Sequence, residues 1–431
     1  MNSTHTHPSR KNTIWLIGVS FLLFQFFLQL SSGVVIGAIM HERSCSALTA
    51  GLLSSAFYYV YTTFQIPVGL LFDRHNTRML LSMNAALCAI GCFLFASGHT
   101  LFALFFGRLV IGAGSAFAFV GLSHIIRQHF PLRNYAFIVG LSETLGFTIT
   151  VFGMIGMGSL IDSLGWRSFI YAAGILGLVI AALCWLVIPN NQPTANNQHQ
   201  HQHMKQLILI LKNKLAWVNG IFVFLEFSVI TVFAALWAVP FLQLKLNCGI
   251  ELASILTSMI LLGAGLSCPV FGYLSMHLSK RKPLLHASCL STALLLLLLL
   301  YLPTQNVFLI GSLLFAIGLC CGAYMLAYSI SNELAPTESL STCAGFTNTL
   351  AMLSAPLLQP LVGYVLDKVC TKHNIYTLKD YQTALLIIPV ALVLASILVR
   401  SLPEKKTVNL RDDTEAELPI ILNRKVFQSR S

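Results

Sequence analysis

The sequence predicts an all-α membrane protein with twelve transmembrane helices in two six-helix halves, each half built from inverted three-helix repeats. Three observations support this class. First, 56% of the 431 residues are hydrophobic and only 10% are charged, whereas soluble domains average about 25% charged residues. Second, the apolar residues form continuous runs of roughly 20 residues, the length that a helix needs to cross a bilayer, and they do not alternate as barrel strands do. Third, one short motif recurs at the ends of matching helices.

Twelve apolar runs follow one another along the chain. They predict helices at 13–40, 46–72, 79–97, 101–125, 136–160, 168–188, 215–240, 251–276, 284–302, 306–331, 341–366 and 381–400. Between the sixth and seventh helices lies a polar segment, NNQPTANNQHQHQHMK, which cannot bury a core and predicts a flexible linker. The predicted domains are a tail at 1–12, a first half at 13–188, a linker at 189–214, a second half at 215–400 and a tail at 401–431.

The formal net charge is +11, and the positions of the basic residues predict the orientation of the chain. With the N-terminus inside, 19 Lys and Arg residues fall on the inner side and 6 fall in the outer loops. Cytoplasmic segments carry such an excess, so both termini are predicted to be cytoplasmic. The basic residues are scattered between apolar runs and form no basic surface, which excludes nucleic acid as a partner. The composition requires a lipid bilayer instead.

The sequence offers little that would support an enzyme or a bound cofactor. Most of the 11 cysteines lie within apolar runs, and no Cys or Cys/His spacing indicates a zinc site. No nucleophile motif or nucleotide-binding loop is present, which argues against a membrane enzyme and an ATP-driven pump. We therefore predict no enzymatic activity, no cofactor and no metal. His199, His201 and His203 leave one alternative open, a metal bound by the linker, beside the simpler interpretation of a solvated loop.

A weak repeat links the two halves. The motif G-x-x-x-D ends three helices, and a fourth helix at the matching position lacks only the Asp; the offsets between the halves are 203 and 205 residues. Because two of these helices run inward and two run outward, the motif marks both membrane faces, as inverted three-helix units predict. The occurrences are Gly69 to Asp73, Gly158 to Asp162, Gly272 to Met276 and Gly363 to Asp367. Cys45 and Cys248 also lie 203 residues apart, in outer loops.

Several motifs resemble the major facilitator superfamily. GLLFDRHNTR, from Gly69 to Arg78, is similar to its loop signature G-x-x-x-D-R-x-G-R-R/K, with Asn76 and Thr77 as departures. The helix 4 run from Arg108 to Gly114 resembles its R-x-x-x-G-x-G element, and Gly165-Trp166-Arg167 is also common there. The proline-containing helix 5 signature of its antiporter branch is absent, since this chain has GFTITVFGMIGMG. The similarity covers residues 13–400.

The stretches FYYVYTTFQIPVGLLFDR and GSAFAFVGLSHII resemble the branch of phagosomal nutrient transporters of intracellular bacteria, many of which import amino acids. This resemblance implies a secondary active transporter that works by alternating access as a monomer in a bacterial inner membrane. It implies proton-coupled import of a small-molecule nutrient such as an amino acid. A siderophore carrier and a drug or metabolite carrier are the alternatives, and a non-transporting membrane sensor is the alternative from another class.

Three charged residues lie inside predicted helices and away from their ends, namely Arg108, Glu143 and Glu226. Charges in hydrocarbon are costly and usually face a cavity or a partner, so we predict that these three lie on the solute and proton pathway. A buried carboxylate has a raised affinity for protons and is suited to carry one. At about 1.5 Å per residue, Arg108 and Glu226 differ in depth by only about 4 Å. Structural ion pairs are the alternative interpretation.

Uncharged polar residues also recur at helical spacing. In the superfamily, helices 1, 4, 7 and 10 line the central cavity, so the resemblance implies that Gln25 and Gln29 of helix 1, and Tyr324 and Tyr328 of helix 10, contact the solute. Asn348 interrupts helix 11 and is a further candidate. Hydrogen bonding between helices is the alternative for all five residues.

The loop after helix 2 is the predicted gate. Asp73 lies at the C-terminal end of its helix, where the helix dipole disfavours an anion, so it needs a compensating partner. Arg74, Arg78 or the N-terminus of helix 11 would supply one and would close the inner face in one state. Gly69 would permit the close approach of helices that this closure requires. In the alternative interpretation, the basic residues only orient the protein.

Overall fold

The computed structural model describes residues 8–30, 32–43, 45–130, 135–190, 208–277, 281–334, 340–370 and 375–404. Within these residues the regular structure is helical and contains no strand. Ten helices among them are long and apolar enough to cross a membrane, and Thr144–Gly153 is a shorter apolar helix.

Twelve helices follow one another in the described residues, and we number them α1 to α12. They are α1, Pro8–Leu30 and Ser32–Arg43; α2, Ala47–Arg74; α3, Thr77–Ser97; α4, Leu101–His129; α5 and α6, which share Tyr135–Val187; α7, Lys214–Leu246; α8, Ile250–His277; α9, Lys282–Tyr301; α10, Val307–Leu334; α11, Leu340–Val369; and α12, Leu378–Leu385 and Ile387–Val399. The break between α5 and α6 is Gly165, whose φ of 78° and ψ of 155° suit glycine. The predicted loop at 161–167 is therefore helical except at this residue.

Two helices that the sequence predicts as regular contain irregular turns. In α7, Val229–Trp237 is a π-helix. In α10, Gly322–Met325 is a 3-10 helix. Such segments leave backbone groups outside the usual hydrogen-bonding ladder and often mark functional positions within helices.

Contacts between helix ends define two faces of the bundle. On the face that holds the start of α1 and the end of α12, which we call the termini face, the amide of Arg281 donates to a carboxylate oxygen of Glu404 at 3.0 Å. On the opposite face, Lys245 Nζ donates to the carbonyl of Leu302 at 2.9 Å, and Arg43 donates to the carbonyl of His99 at 2.9 Å. Each of these bonds joins two helix ends or loops of the same half at one face of the bundle.

The two halves meet most closely toward the opposite face. Helices α2 and α11 pack backbone to backbone there, since a Cβ placed on Gly51 would lie only 2.7 Å from the carbonyl oxygen of Gln359. A Cβ on Gly363 would likewise collide with the carbonyl oxygen of Ala47. The absence of side chains at these glycines is what permits the close approach. Helices α1 and α7 also touch, at Gly33.

Candidate functional site

Two glutamines of α1 lie at the boundary between the halves. Gln25 and Gln29 are both almost fully buried, and the Gln25 amide donates to the Gln29 side-chain oxygen. The Gln29 amide in turn lies 3.5 Å from the sulfur of Met352 on α11. A polar stripe of the first half therefore contacts the second half directly.

The second half presents two further candidates at the same boundary. The hydroxyl of Tyr328 on α10 donates to the side-chain oxygen of Asn348 on α11 at 2.8 Å, and both residues are partly buried. Asn348 lies one helical turn from Met352, so the two share a face of α11. The structure thus brings Gln25, Gln29, Tyr328 and Asn348 to one region. Their bonds fit hydrogen bonding between helices as well, so a solute role stays a prediction.

Tyr324 lies four residues before Tyr328 on α10 and contacts other helices of the second half. It belongs to the 3-10 segment of α10, and its ring centroid is 4.7 Å from that of Phe227 on α7. The Cys268 thiol on α8 lies 3.5 Å from its hydroxyl. Tyr324 therefore joins α7, α8 and α10 beside the irregular turn.

Arg108 is buried inside the first half and is only 4% exposed. Its guanidinium donates to the carbonyl of Leu28 at 3.2 Å and to the hydroxyl of Ser32 at 2.5 Å on α1, and to the carbonyl of Ser54 at 3.4 Å on α2. The ring of Phe57 lies 5.4 Å away, within the range of a cation–π interaction. The residue joins three helices of one half.

Glu226 is buried inside the second half and is only 1% exposed. One carboxylate oxygen accepts a hydrogen bond from the Ser288 hydroxyl of α9 at 2.7 Å, while the other has no partner. The Ser288 hydroxyl is also 2.6 Å from the carbonyl of Cys320, at the end of the regular part of α10. Glu226 itself lies three residues before the π-helix of α7. The carboxylate is therefore placed between the irregular turns of α7 and α10.

The alternative of structural ion pairs finds no support at these two residues. Within the described part of the chain, neither Arg108 nor Glu226 has an oppositely charged side chain within 4.0 Å; the ion pairs there join Arg167 to Glu42 and Arg281 to Glu333. A buried charge without a partner is costly. Glu143 is the third charged residue that the sequence places inside a helix, and its side chain is not among those that the structure describes.

The predicted gating loop is only partly described. The backbone of Gly69 is helical, and no atom of another described residue lies within 4 Å of the place of its missing Cβ. Arg78 stacks on the ring of Trp185 of α6 at 4.2 Å, so it contacts its own half. The side chains of Asp73 and Arg74 lie outside the described residues. None of the described residues comes close to Gly69, whereas the equivalent close approach does occur at Gly363.

A carboxylate of the second half caps a helix of the first half on the opposite face. Asp367 accepts hydrogen bonds from the amides of Ala47 and Leu48, each at 3.0 Å, at the start of α2. The Tyr376 hydroxyl donates to Asp367 at 2.6 Å and accepts from the Ala47 amide at 2.7 Å. Burial raises the pKa of Tyr376, so its hydroxyl stays protonated and able to donate. The Asp of the G-x-x-x-D motif therefore closes this end by binding a helix N-terminus.

A buried polar network that the sequence did not single out lies deeper along the same boundary. The Gln359 amide donates to the carbonyl of Thr231 in the π-helix at 2.6 Å, and its oxygen accepts from the Ser55 hydroxyl of α2 at 3.2 Å. The hydroxyls of Thr231 and Ser354 are 2.6 Å apart. Gln359 is fully buried, so it links α2, α7 and α11 out of contact with solvent. The only signal for it in the sequence was the presence of small polar residues within apolar runs.

These features define a class, a multi-pass helical membrane protein whose two groups of helices meet around buried polar side chains. A model of the Major Facilitator Superfamily matches residues 15–358, and the chain belongs to this family of secondary transporters. The predictions of this family and of the twelve-helix all-α fold are confirmed.

Comparisons with individual proteins agree. The "Probable galactarate/D-glucarate transporter GarP" of Escherichia coli (strain K12) is 22% identical over 375 residues, covering 77% of this chain and 82% of that one. The "Probable galactarate/D-glucarate transporter GudP" of Bacillus subtilis (strain 168) is 25% identical over 194 residues, covering 41% of this chain and 42% of that one. For this relative and for two similar ones, the matched region covers only 42 to 46% of the relative's length.

Solved structures show the same fold. A bacterial homolog of the human lysosomal transporter Spinster, in an inward-facing and unoccupied conformation, superposes with a TM-score of 0.73 at 16% identity, covering 91% of this chain and 97% of that chain. The nucleoside transporter NupG superposes with a TM-score of 0.70 at 16% identity, covering 91% and 98%.

Proposed function

We propose that the protein imports a small carboxylate-bearing nutrient by alternating access, coupled to protons. The observation that carries this proposal is the group of buried and partly buried polar side chains at the boundary of the halves, where Gln29 contacts Met352 and Tyr328 binds Asn348. A solute bound there would touch both halves, so it would be released when one half rocks against the other. Amide and phenol groups both donate and accept hydrogen bonds, which suits a polar solute.

The solute class is the finer part of the proposal. The sequence resemblance favours an amino acid, and the relatives named as galactarate/D-glucarate transporters favour a sugar acid. Both carry a carboxylate. Glu226 and Glu143 are the groups proposed to take up the coupling proton, because ionisable residues within transmembrane helices often mark proton relays. Gly69, Asp73, Arg74 and Arg78 are proposed to close the termini face in the alternate state.

Orientation and assembly follow from the same proposal. The excess of basic residues at the termini face supports an orientation with both termini in the cytoplasm, and a bacterial inner membrane is the proposed location. The division into halves at 13–188 and 215–400 makes the polar linker the connection between two units that move against each other. Because both halves of the site come from one chain, a monomer is sufficient.

The test is uptake into proteoliposomes. Purified protein is reconstituted with an acidic exterior, and the uptake of labelled amino acids, galactarate and D-glucarate is measured with and without a protonophore. We expect one class to accumulate only when the pH gradient is intact. A substrate-independent failure of uptake, together with no thermal stabilisation by any of these compounds, would favour a non-transporting sensor.

A matched pair of variants locates the site. Asn348→Leu removes the partner of Tyr328 and is expected to lower the apparent affinity about tenfold, the effect of losing roughly one hydrogen bond in a buried site. Thr349→Val is the control, because the Thr349 hydroxyl donates to the carbonyl of Gly345 on its own helix. Equal effects of both variants would remove Asn348 from the site.

A further inference from the structure

A short helical segment, residues 208–212, precedes α7 at the end of the polar linker, and we call it the pre-α7 segment. Its residue Ile210 is buried in a cluster with Phe346 of α11. The indole of Trp217 donates to the carbonyl of Leu211 at 2.9 Å, and the ring of Trp217 packs edge-on against Phe346. The pre-α7 segment is therefore fixed against the starts of α7 and α11.

The outer side of the pre-α7 segment is apolar. The side chains of Ile208, Leu209 and Leu211 are 45%, 58% and 43% exposed. Leu215 and Trp217, which are also exposed, continue this apolar surface onto the first turn of α7. A contiguous apolar patch with polar residues at its border marks a contact with a membrane or with another molecule.

The contacts of Asn213 define the level of this patch. The membrane-spanning part of α7 begins at Lys214. The side-chain oxygen of Asn213, just before it, accepts from the Leu215 amide at 3.0 Å. The side-chain amide of Asn213 lies 3.5 Å from the carbonyl of Leu334, at the end of α10. Because α7 starts at the level where α10 ends, the pre-α7 segment lies beyond both apolar spans, level with the lipid headgroups.

Two lysines border the apolar side of the segment. Lys212 ends the segment and Lys214 begins α7, and both are exposed. Neither lysine forms an ion pair within the described part of the chain. A lysine at this level keeps its apolar stem beside acyl chains while its ammonium group reaches the headgroups, and tryptophan is enriched at the same depth. Apolar side chains flanked by basic residues complement a leaflet whose headgroups are negatively charged.

A second copy of the chain fits this surface less well than a leaflet does. In a twofold dimer the same patch lies on both subunits, so Lys212 and Lys214 of one copy would face the same lysines of the other. Like charges placed together across an interface are unfavourable. An anionic leaflet covers the leucines without this cost.

We propose that the pre-α7 segment, together with Lys212 and Lys214, is a binding surface for anionic phospholipids of the leaflet at the termini face. The leucines enter the boundary between headgroups and acyl chains, and the two ammonium groups bind the headgroup phosphates. The surface fastens the start of α7 to the leaflet, at the place where the polar linker joins the second half. It is separate from the proposed solute site and does not depend on which solute is carried.

The test is native mass spectrometry of the purified, full-length protein in a neutral detergent, titrated with phosphatidylglycerol or with phosphatidylcholine. The tightest phosphatidylglycerol site is expected to bind at least tenfold more tightly than phosphatidylcholine. The double variant Lys212→Gln/Lys214→Gln should weaken it tenfold or more, since each lysine beside an anionic surface contributes about fivefold. The matched control is Lys368→Gln/Lys379→Gln, which removes the same charge from exposed positions at the opposite face and should keep the parental affinity.

A second variant tests the apolar part of the surface. Leu209→Gln keeps both lysines and changes the most exposed side chain of the segment, so it is expected to weaken phosphatidylglycerol binding severalfold without affecting the fold. Glycerol 3-phosphate, which carries the charge without acyl chains, should not compete.

Three results would overturn the proposal. The first is equal binding of the two lipids by the parent, or an unchanged phosphatidylglycerol affinity in the Lys212→Gln/Lys214→Gln variant. The second is competition by glycerol 3-phosphate, since the occupant would then be a soluble phosphate. The third is a dimer in the same spectra that Leu209→Gln dissociates, since a second copy would then cover the surface.

Discussion

The carboxylate of Asp367 lies 3.0 Å from the amide nitrogen of Ala47, so a side chain of the second half caps a helix of the first half. The second oxygen binds the Leu48 amide, and Ser46 accepts the hydrogen bond of the Thr49 amide. The first three amides of α2 are therefore satisfied, two of them from across the boundary. Such amides have no partner within their own helix, so opening this face exposes them to solvent.

We expect Asp367→Asn to favour the state that is open at this face. The change removes the negative charge at a helix N-terminus and weakens two charge-assisted hydrogen bonds, which shifts the equilibrium about tenfold or more. The measurement is the rate at which Cys45 reacts with a membrane-impermeant maleimide in a background without Cys248 and Cys370. Asp380→Asn is the control, because Asp380 forms a capping box with Thr377 inside the second half. Equal labelling of parent and Asp367→Asn would show that the cap does not hold this face closed.

Asp73→Asn should slow the interconversion of the two states. The repeat of the G-x-x-x-D motif predicts that Asp73 closes the termini face as Asp367 closes the other face, so its loss destabilises the alternate state. Equilibrium binding of the solute in detergent should survive. Transport rate and binding are measured on the same preparation. A parental transport rate would mean that the loop has no gating role.

Glu226→Gln is expected to abolish accumulation driven by a pH gradient and to leave solute exchange measurable. The amide keeps the shape and the acceptor for Ser288 but cannot carry a proton. Glu143→Gln tests the second candidate in the same assay. Glu251→Gln is the control, since Glu251 is exposed in the first turn of α8. Unchanged accumulation in both Glu226→Gln and Glu143→Gln would remove these residues from the proton path.

Cys45 and Cys248 provide a test of closure that depends on pH. Both are free thiols at the opposite face, and burial raises the pKa of each. Because the thiolate is the reactive form, oxidation should be slow at pH 7 and should accelerate as the pH rises toward these raised values. If the thiols meet when this face closes, mild oxidation should inhibit transport, reductant should restore it, and Cys45→Ser should be immune.

The contrary result would be that the two thiols never form a disulfide. Full activity after oxidation at high pH, with both thiols still open to alkylation, would show that Cys45 and Cys248 never meet. A disulfide requires Cα atoms within about 7 Å, so such a result would bound their closest approach.

Glu42 should make stability sensitive to acid. The hydrogen bond from Trp166, followed by the contact with Arg167, lowers the pKa of Glu42 below its ordinary value of 4.5. A lowered pKa in the folded state contributes stability above pH 4.5, and this contribution is lost as the pH falls through the folded value. Glu42→Gln should lower the melting temperature slightly at pH 7 and reduce its dependence on pH below 4.5. Equal pH profiles for the variant and the parent would contradict this role.

Much of the fold was predictable because a bilayer imposes a simple rule on each segment alone. A run such as Thr77–Ser97 must be helical to satisfy its own backbone in hydrocarbon, whatever it packs against. The same locality explains why the twelve helices and the family motifs were accessible from the sequence. The G-x-x-x-D repeat even indicated that Asp367 and Asp73 occupy related positions.

The partners of the polar residues were not predictable in this way. Helical periodicity placed Gln25 and Gln29 on one face of their helix, but it did not predict that Gln29 contacts Met352. Counting residues placed Arg108 and Glu226 at similar depths in the membrane, but it did not show which side chains each would contact in its own half. The sequence by itself determined which segments cross the membrane and which of them carry charge, because the cost of burying backbone and charge in lipid is set residue by residue. Only the tertiary structure decided that Asp367 caps α2, that Gln359 binds the π-helix and that Arg108 joins three helices of one half, because each of these contacts depends on the angles and spacing at which separate helices pack.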